Sequence, residues 1–459
     1  MSALLAVLAL LASVNPKPAT IPAVWRWEGG EGTFAVGSDY RRLVDAEIVE
    51  PGAREGYVID IGKRRVKVRA ASKTGLLYAS RTLRQMLRQN PKELPCGRIV
   101  DKPRYPVRGF VFDVGRLPVP IAFLRKVVDI MAECKMNDLQ LHLNDNYIWH
   151  GDYAKEGKDP FKESYAAFRL ESKIEGLTAR DVSYAKKEFA ALVAYAAKRG
   201  VRIVPEIDSP GHALALTRVR PDLIYQGPMS DPSKRCEMLD AANPKALEFM
   251  GGVFDEFLDS AFRDCATVHV GADEFFGANE DYRRFLDGLL AHVESRGRTP
   301  RAWCSLRRKP GQTPVRAKGV QMNVWSRDWG RAQETLDLGY DIINTLDRDL
   351  YFVPTANYYR MDRNLKGLWE NWAVNKIGDE TIAADNPHLL GASWALWNDM
   401  IGPRHTGYTY KDLEAPIRAA CGVLAEKMWS GSAAPPRGYE EHRELMRALL
   451  SDAALDESR

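Results

Sequence analysis

Two adjacent acidic residues, Asp273 and Glu274, close a strand-like apolar run over residues 266–271. A pair of carboxyl groups at one locus suits acid/base chemistry on a glycosidic bond, where one group handles protons and the other faces developing positive charge. Neighbours in a strand point to opposite faces. Both side chains can therefore reach one reactant only if the chain bends at the strand end, and Gly271 and Gly277 ease such a bend. Two carboxyls held this close cannot both keep ordinary pKa values, and the proton donor is the one expected to be raised. His212 follows Pro210-Gly211 and reads equally as a turn residue or a proton carrier. Asp208 and His212, four apart, lack the further clustered ligands that a metal would need.

The elements that must position these residues repeat along the chain. Strand-like runs fall at 108–113, 138–143, 201–206, 266–271, 301–305, 319–325, 341–345 and 389–397, with amphipathic helical stretches such as 121–135 and 185–199 between them. Eight strands alternating with helices predict an α/β fold, a (β/α)8 TIM barrel over 107–459. An open doubly wound sheet is the competing architecture, but no glycine-rich phosphate loop follows any strand. In a barrel the chemistry sits at the carboxyl ends of the strands. Those ends carry Asp113 and Arg116; Asp145 and Trp149; Glu206, Asp208 and His212; Asp273 and Glu274; Trp303; Trp325; Tyr351; and Trp397 with Asp399. Carboxylates and aromatic rings dominate, and aromatic faces suit the apolar side of a pyranose ring. No Ser or Cys stands in an elbow motif, which disfavours acyl transfer.

Ahead of the barrel, residues 16–106 form a compact segment. Runs 56–61 and 65–70 alternate apolar with polar residues and precede a helix over 75–89, which predicts a small α+β domain. The first residues, Ser2 to Ser13, form a short apolar run followed by small residues. They read as a signal peptide over 1–15, and a secreted or periplasmic location is expected. No stretch approaches the length of a membrane span. The 459 residues carry 65 basic and 61 acidic side chains without a dense basic block, so composition offers nothing for nucleic-acid binding. Six scattered cysteines form no CxxC pattern, which disfavours a zinc cluster or a disulfide scaffold.

Four motifs on successive strands resemble glycoside hydrolase family 20, the β-N-acetylhexosaminidases and lacto-N-biosidases. They are Arg108-Gly109 with Asp113-Val114-Gly115-Arg116, Leu141 to Asp145, Val204 to His212, and His269 to Glu274. The resemblance spans essentially everything after the leader. It implies a retaining, substrate-assisted mechanism in which the substrate's own 2-acetamido oxygen attacks C1, an exception to the two-carboxylate scheme. By resemblance, Asp273 orients the acetamido group, Glu274 is the general acid/base, and His212 and Asp145 form a polar chain to it. Arg108 corresponds to an arginine that binds sugar hydroxyls, although a structural ion pair at the strand base fits it too. Trp303, Trp325 and Trp397 correspond to tryptophans walling the acetamido pocket and the sugar face. Tyr351 would donate to the acetamido carbonyl, and Asp399 would bind hydroxyls O4 or O6. The implied partner is an N-acetylhexosamine-terminated glycan, and no cofactor or metal is implied.

Some departures from the commonest pattern point within the family. Gly-Ala-Asp-Glu replaces Gly-Gly-Asp-Glu, Asn144-Asp145-Asn146 follows the second strand, and Trp397-Asn398-Asp399 lies near the end. Tyr351-Phe352-Val353-Pro354 and the segment Tyr165 to Glu171 also recur in the branch that includes lacto-N-biosidases. Release of a terminal monosaccharide thus competes with release of a disaccharide. A sugar-binding protein without activity and a barrel hydrolase with a conventional nucleophile are the other readings.

Overall fold

A computed structural model describes residues 14–49, 54–229, 231–360, 364–400 and 407–451. Residues 1–13, most of the signal-like segment, lie outside the described residues.

The N-terminal segment forms one five-stranded sheet: β1 (Arg26–Ala35), β2 (Val44–Ile48), β3 (Tyr57–Ile61), β4 (Val66–Ala70) and β5 (Glu93–Asp101), in the order β1-β5-β3-β4-β2. Helix α1 (Lys73–Gln89) starts at Ser72, whose Oγ accepts from the Gly75 amide at 3.1 Å. It packs on the sheet over Tyr57, Ile59, Val68, Tyr78, Ala79 and Met86. β3 and β4 are the strands the alternation predicts. The other three evade it for local reasons. β1 contains three glycines, β5 contains Pro95 and Gly97, and β2 is a largely exposed edge.

From Val107 the chain builds a closed barrel of eight parallel strands: β6 (Val107–Asp113), β7 (Asp138–His142), β10 (Arg202–Ser209), β11 (Thr267–Gly271), β12 (Thr299–Trp303), β13 (Gln321–Val324), β14 (Asp341–Asn344) and β18 (Leu389–Leu396). Pairings of β14 with β18 and of β18 with β6 close it. Each lies on one of the eight predicted runs. Every residue of β6 and β7 is buried, as expected of strands covered on both faces. The antiparallel pair β8 (Asn144–Asn146) and β9 (Ala166–Phe168) sits between β7 and β10, while β15 (Tyr351–Phe352) runs alongside β18. Strands β16 (Lys376–Ile377) and β17 (Glu380–Thr381) form a small ribbon. Helices α2 (Ile121–Glu133) and α3 (Lys186–Ala197) fill the predicted stretches. All six cysteines are free thiols, and all but Cys236 are buried.

Arg108 corrects one expectation. It lies at the start of β6, the base of the barrel, and is fully buried against the N-terminal domain. Its guanidinium donates to both Glu55 carboxylate oxygens at 2.8 and 3.1 Å, to the Tyr78 hydroxyl at 3.1 Å and to the carbonyls of Tyr105 and Lys135 at 2.8 Å. Five donors are thereby occupied on the face opposite the strand ends that carry the acids, and Arg108 binds no substrate there. Beside it Lys135 Nζ donates to Asp101 at 3.0 Å, whose other oxygen accepts from Trp429 Nε1 at 2.9 Å. These buried charges tie the small domain to the barrel.

Candidate active site

The carboxyl ends of the barrel strands surround a cavity of about 530 Å3, within the range typical of small-molecule sites. Asp145, His212, Asp273, Glu274, Trp325, Tyr351, Trp397 and Asp399 line it. Trp303 and Arg108 do not.

The bend that brings both acids to one side is made by the backbone of β11's end. Gly271 has φ +74°, Ala272 +82° and Glu274 +44°. Only glycine fits at 271, because a Cβ there would stand 1.8 Å from Asp208 Oδ1. Left-handed backbone at two non-glycine residues costs of order 1–3 kcal/mol each. Fixed neighbours offset that cost. The Ala272 amide donates to Asp208 Oδ1 at 3.0 Å, and the Tyr282 hydroxyl donates to the Ala272 carbonyl at 2.7 Å.

A chain of alternating charges runs inward from Glu274. Its carboxylate lies 3.5 Å from His212 Nε2, and His212 Nδ1 lies 3.1 Å from Asp145 Oδ1. Asp145 Oδ2 is 2.7 Å from both Arg116 and His142 Nε2, and His142 Nδ1 is 3.0 Å from Glu206. Burial alone would lower the pKa of His212, but the charges of Asp145 and Asp273 outweigh it and hold the imidazolium well above the ordinary histidine range. Burial would raise Asp145, yet Arg116 and His212 keep it well below the usual carboxylate range. Glu274 is a third exposed at the mouth. Burial pushes its pKa up, and the hydrogen bond and charge of His212 more than reverse that, leaving it lowered.

The raised member of the pair is instead Asp273. Burial lifts it to about 6, with repulsion from Glu274 adding to the shift and His212 opposing it. This reverses the sequence-based expectation for the proton donor, because sequence does not show the imidazolium parked against Glu274. Asp208 is raised well above the carboxylate range by burial and by the charge of Asp273. Its Oδ1 accepts the Ala272 amide.

The opposite wall is aromatic. Tyr351 lies parallel to Trp325 at 6.5 Å and edge-on to Trp397 at 5.6 Å. Trp303, placed by sequence in this wall, is fully buried beneath it. Its Nε1 donates to Glu206 at 2.7 Å and its ring backs Trp397 at 5.7 Å. The role open to it is support of the wall.

Two further residues join the site: Arg116, which the sequence placed at a strand end without a role, and Tyr358, which it did not single out. Arg116, three residues after Asp113, lines the cavity and reaches Asp113 at 3.1 Å, Asp145 at 2.7 Å and Asp399 at 3.5 Å. Tyr358, from the loop after β15, donates to Asp399 at 3.0 Å. Arg116 had a signal, since it follows the carboxyl end of β6. A tyrosine in an irregular loop has none. His142 with Glu206 and Asp208, and Asp208 with His212 and Asp273, come close enough to suggest a cation site. Each histidine, however, has both ring nitrogens facing carboxylates and a raised pKa. A doubly protonated ring has no lone pair for a metal.

The barrel and this pocket define a class: a TIM-barrel protein with a charge-relayed acid pair facing an aromatic wall at its strand ends. Residues 105–283 match the glycosyl hydrolase family 20 catalytic domain and residues 44–102 its domain 2, together more than half of the chain. The chain belongs to glycosyl hydrolase family 20. It is 36% identical over 312 residues to a β-hexosaminidase of Akkermansia muciniphila, an alignment covering 62% of this chain and 60% of that one. It is 25% identical over 433 residues to a lacto-N-biosidase of Bifidobacterium bifidum, covering 87% of this chain and 35% of that one. The chain thus spans about 60% and about a third of these two relatives. Its fold is similar to the crystal structure of a β-N-acetylhexosaminidase from Bacteroides fragilis, with a TM-score of 0.74, 21% identity and 94% of each chain covered.

Proposed function

We propose that this protein is a retaining, exo-acting β-N-acetylhexosaminidase that removes terminal GlcNAc or GalNAc from a glycan. The observation that carries this reading is the Asp273–Glu274 pair, bent to one face, with the His212–Asp145 relay behind Glu274 and Tyr351 with the tryptophan wall opposite. The substrate's acetamido oxygen attacks C1 as the bond to the leaving oxygen breaks. Glu274 delivers a proton to that oxygen, supplied by the His212–Glu274 pair. Asp273, ionised above about pH 6, faces the positive charge that develops on the acetamido nitrogen. In the second half Glu274 takes a proton from the water that opens the oxazolinium ring. Arg116 and Asp399 offer a donor and an acceptor to sugar hydroxyls at the far end.

Turnover of nitrophenyl β-N-acetylglucosaminide tests the reading. Glu274→Gln should lose about 10²–10⁴ in kcat, and a thiazoline mimic of the intermediate should inhibit. Absence of thiazoline inhibition would instead support a conventional nucleophile. Likeness to the lacto-N-biosidase over 87% of this chain favours a second reading, release of a disaccharide, which product analysis on lacto-N-tetraose decides. The apolar run at the N-terminus supports export, testable by cell fractionation.

A further inference from the structure

Trp149 and Lys234 line the same cavity as Glu274. Trp149 is 41% exposed, one of only two exposed tryptophans among the described residues. An exposed indole gives up its burial, and at the mouth of a carbohydrate site its flat face is a platform for a second sugar ring. Lys234 lies close enough to Glu274 for its charge to act on that carboxylate. Among the described residues its contacts are loose: Glu237 at 4.0 Å and the Phe276 ring at 5.7 Å.

Both residues are held in place from behind. His150, next to Trp149, is buried and contacts Ser164 Oγ at 2.8 Å and Glu237 Oε2 at 3.0 Å. Asn146 donates to the same Glu237 oxygen, so one buried carboxylate ties the Trp149 loop to the helical turn Pro232–Glu237 that carries Lys234. The neighbouring acids are already engaged. Asp231 accepts from the Ser233 amide and hydroxyl, and Asp152 pairs with Lys155 at 3.4 Å.

We infer that Trp149 and Lys234 form a subsite for the leaving sugar that favours an anionic residue, its charge carried by a carboxylate or a sulfate. The inference rests on the hexosaminidase reading and names the substrate class for it. Trp149 supplies ring stacking whatever the charge, and Lys234 supplies the discrimination.

The test uses the full chain and three disaccharides in which N-acetylglucosamine is β-linked to glucose, glucuronic acid or glucose 6-sulfate. Nitrophenyl N-acetylglucosaminide serves as the neutral reference. An anionic leaving sugar should raise kcat/KM by about three- to tenfold over glucose, the range for a partly exposed charged hydrogen bond, and the two anionic arms tell carboxylate from sulfate. The preference should shrink with added salt and fall to about one in Lys234→Gln. Trp149→Ala should lower kcat/KM for all three disaccharides together. Equal rates for neutral and anionic leaving sugars would overturn the inference. So would a preference that survives Lys234→Gln, or a Lys234→Gln effect that shifts the pH profile for every substrate equally and leaves the ratio intact. Inactivity of the wild-type protein on the nitrophenyl reference would overturn the hexosaminidase reading itself, and the inference with it.

Discussion

Replacing Asp145 with Asn tests the relay most directly. The change keeps the side chain's shape and removes one charge from a site where His212, His142 and Arg116 all converge. At the 3.1 Å separation of Asp145 and His212, an effective dielectric of about 20 gives an attraction of about 5 kcal/mol. The amide oxygen can still accept from Nδ1, so only part of that attraction is lost, and the His212 pKa falls. The sign follows from the charges. Productive enzyme needs Asp273 ionised and one proton held between His212 and Glu274. Activity therefore rises through the Asp273 pKa of about 6 and is lost when the pair deprotonates, well above the ordinary histidine range. Asp145→Asn should leave the acid limb of kcat/KM near 6 and move the basic limb down, narrowing the bell, with kcat falling about 10²–10⁴. The pH profile on nitrophenyl N-acetylglucosaminide measures this, with thermal melts confirming a folded variant, since a broken buried ion pair costs about 3–5 kcal/mol. A basic limb that stays where it was, at any kcat, refutes the relay.

Arg108→Met should cost about 3–5 kcal/mol in denaturant melts, because Glu55 loses its buried partner. Its kcat/KM should stay close to wild type, and a selective rise in KM would return Arg108 to the sugar site. Asp208→Ala removes the oxygen that accepts the Ala272 amide at 3.0 Å, so melts should show a loss of about 1–3 kcal/mol, while Asp208→Asn, which keeps an acceptor, should lose less. Trp303→Phe leaves Glu206 without its 2.7 Å indole donor. Melts should show a loss of about 1–3 kcal/mol, and KM should rise as Trp397 loses its backing. Wild-type stability would show that the bond contributes little.

The eight barrel strands were legible because strand-like runs recur between helix-length stretches, even where, as in β7, Leu139 and Leu141 alternate with buried Asp138, Gln140 and His142. The small sheet was only partly legible. Edge exposure at β2 and glycine or proline in β1 and β5 remove the alternation that marks a strand. Arg108 was misplaced despite a usable rule: it opens its strand, and the opening end of a barrel strand faces away from the chemistry. The same rule points to Arg116.

Sequence alone determined the barrel, the acid pair at Asp273 and Glu274 and the aromatic residues near it, because covalent order and apolar periodicity dictate which residues end which strand. Tertiary structure alone decided the rest. It placed Trp303 under the wall, joined Arg116 to Asp399 and Tyr358 across loops, and set His212 against Glu274, so that Asp273 holds the raised pKa. Protonation follows the distances and burial of charges far apart in the chain, and periodicity carries no information about those distances.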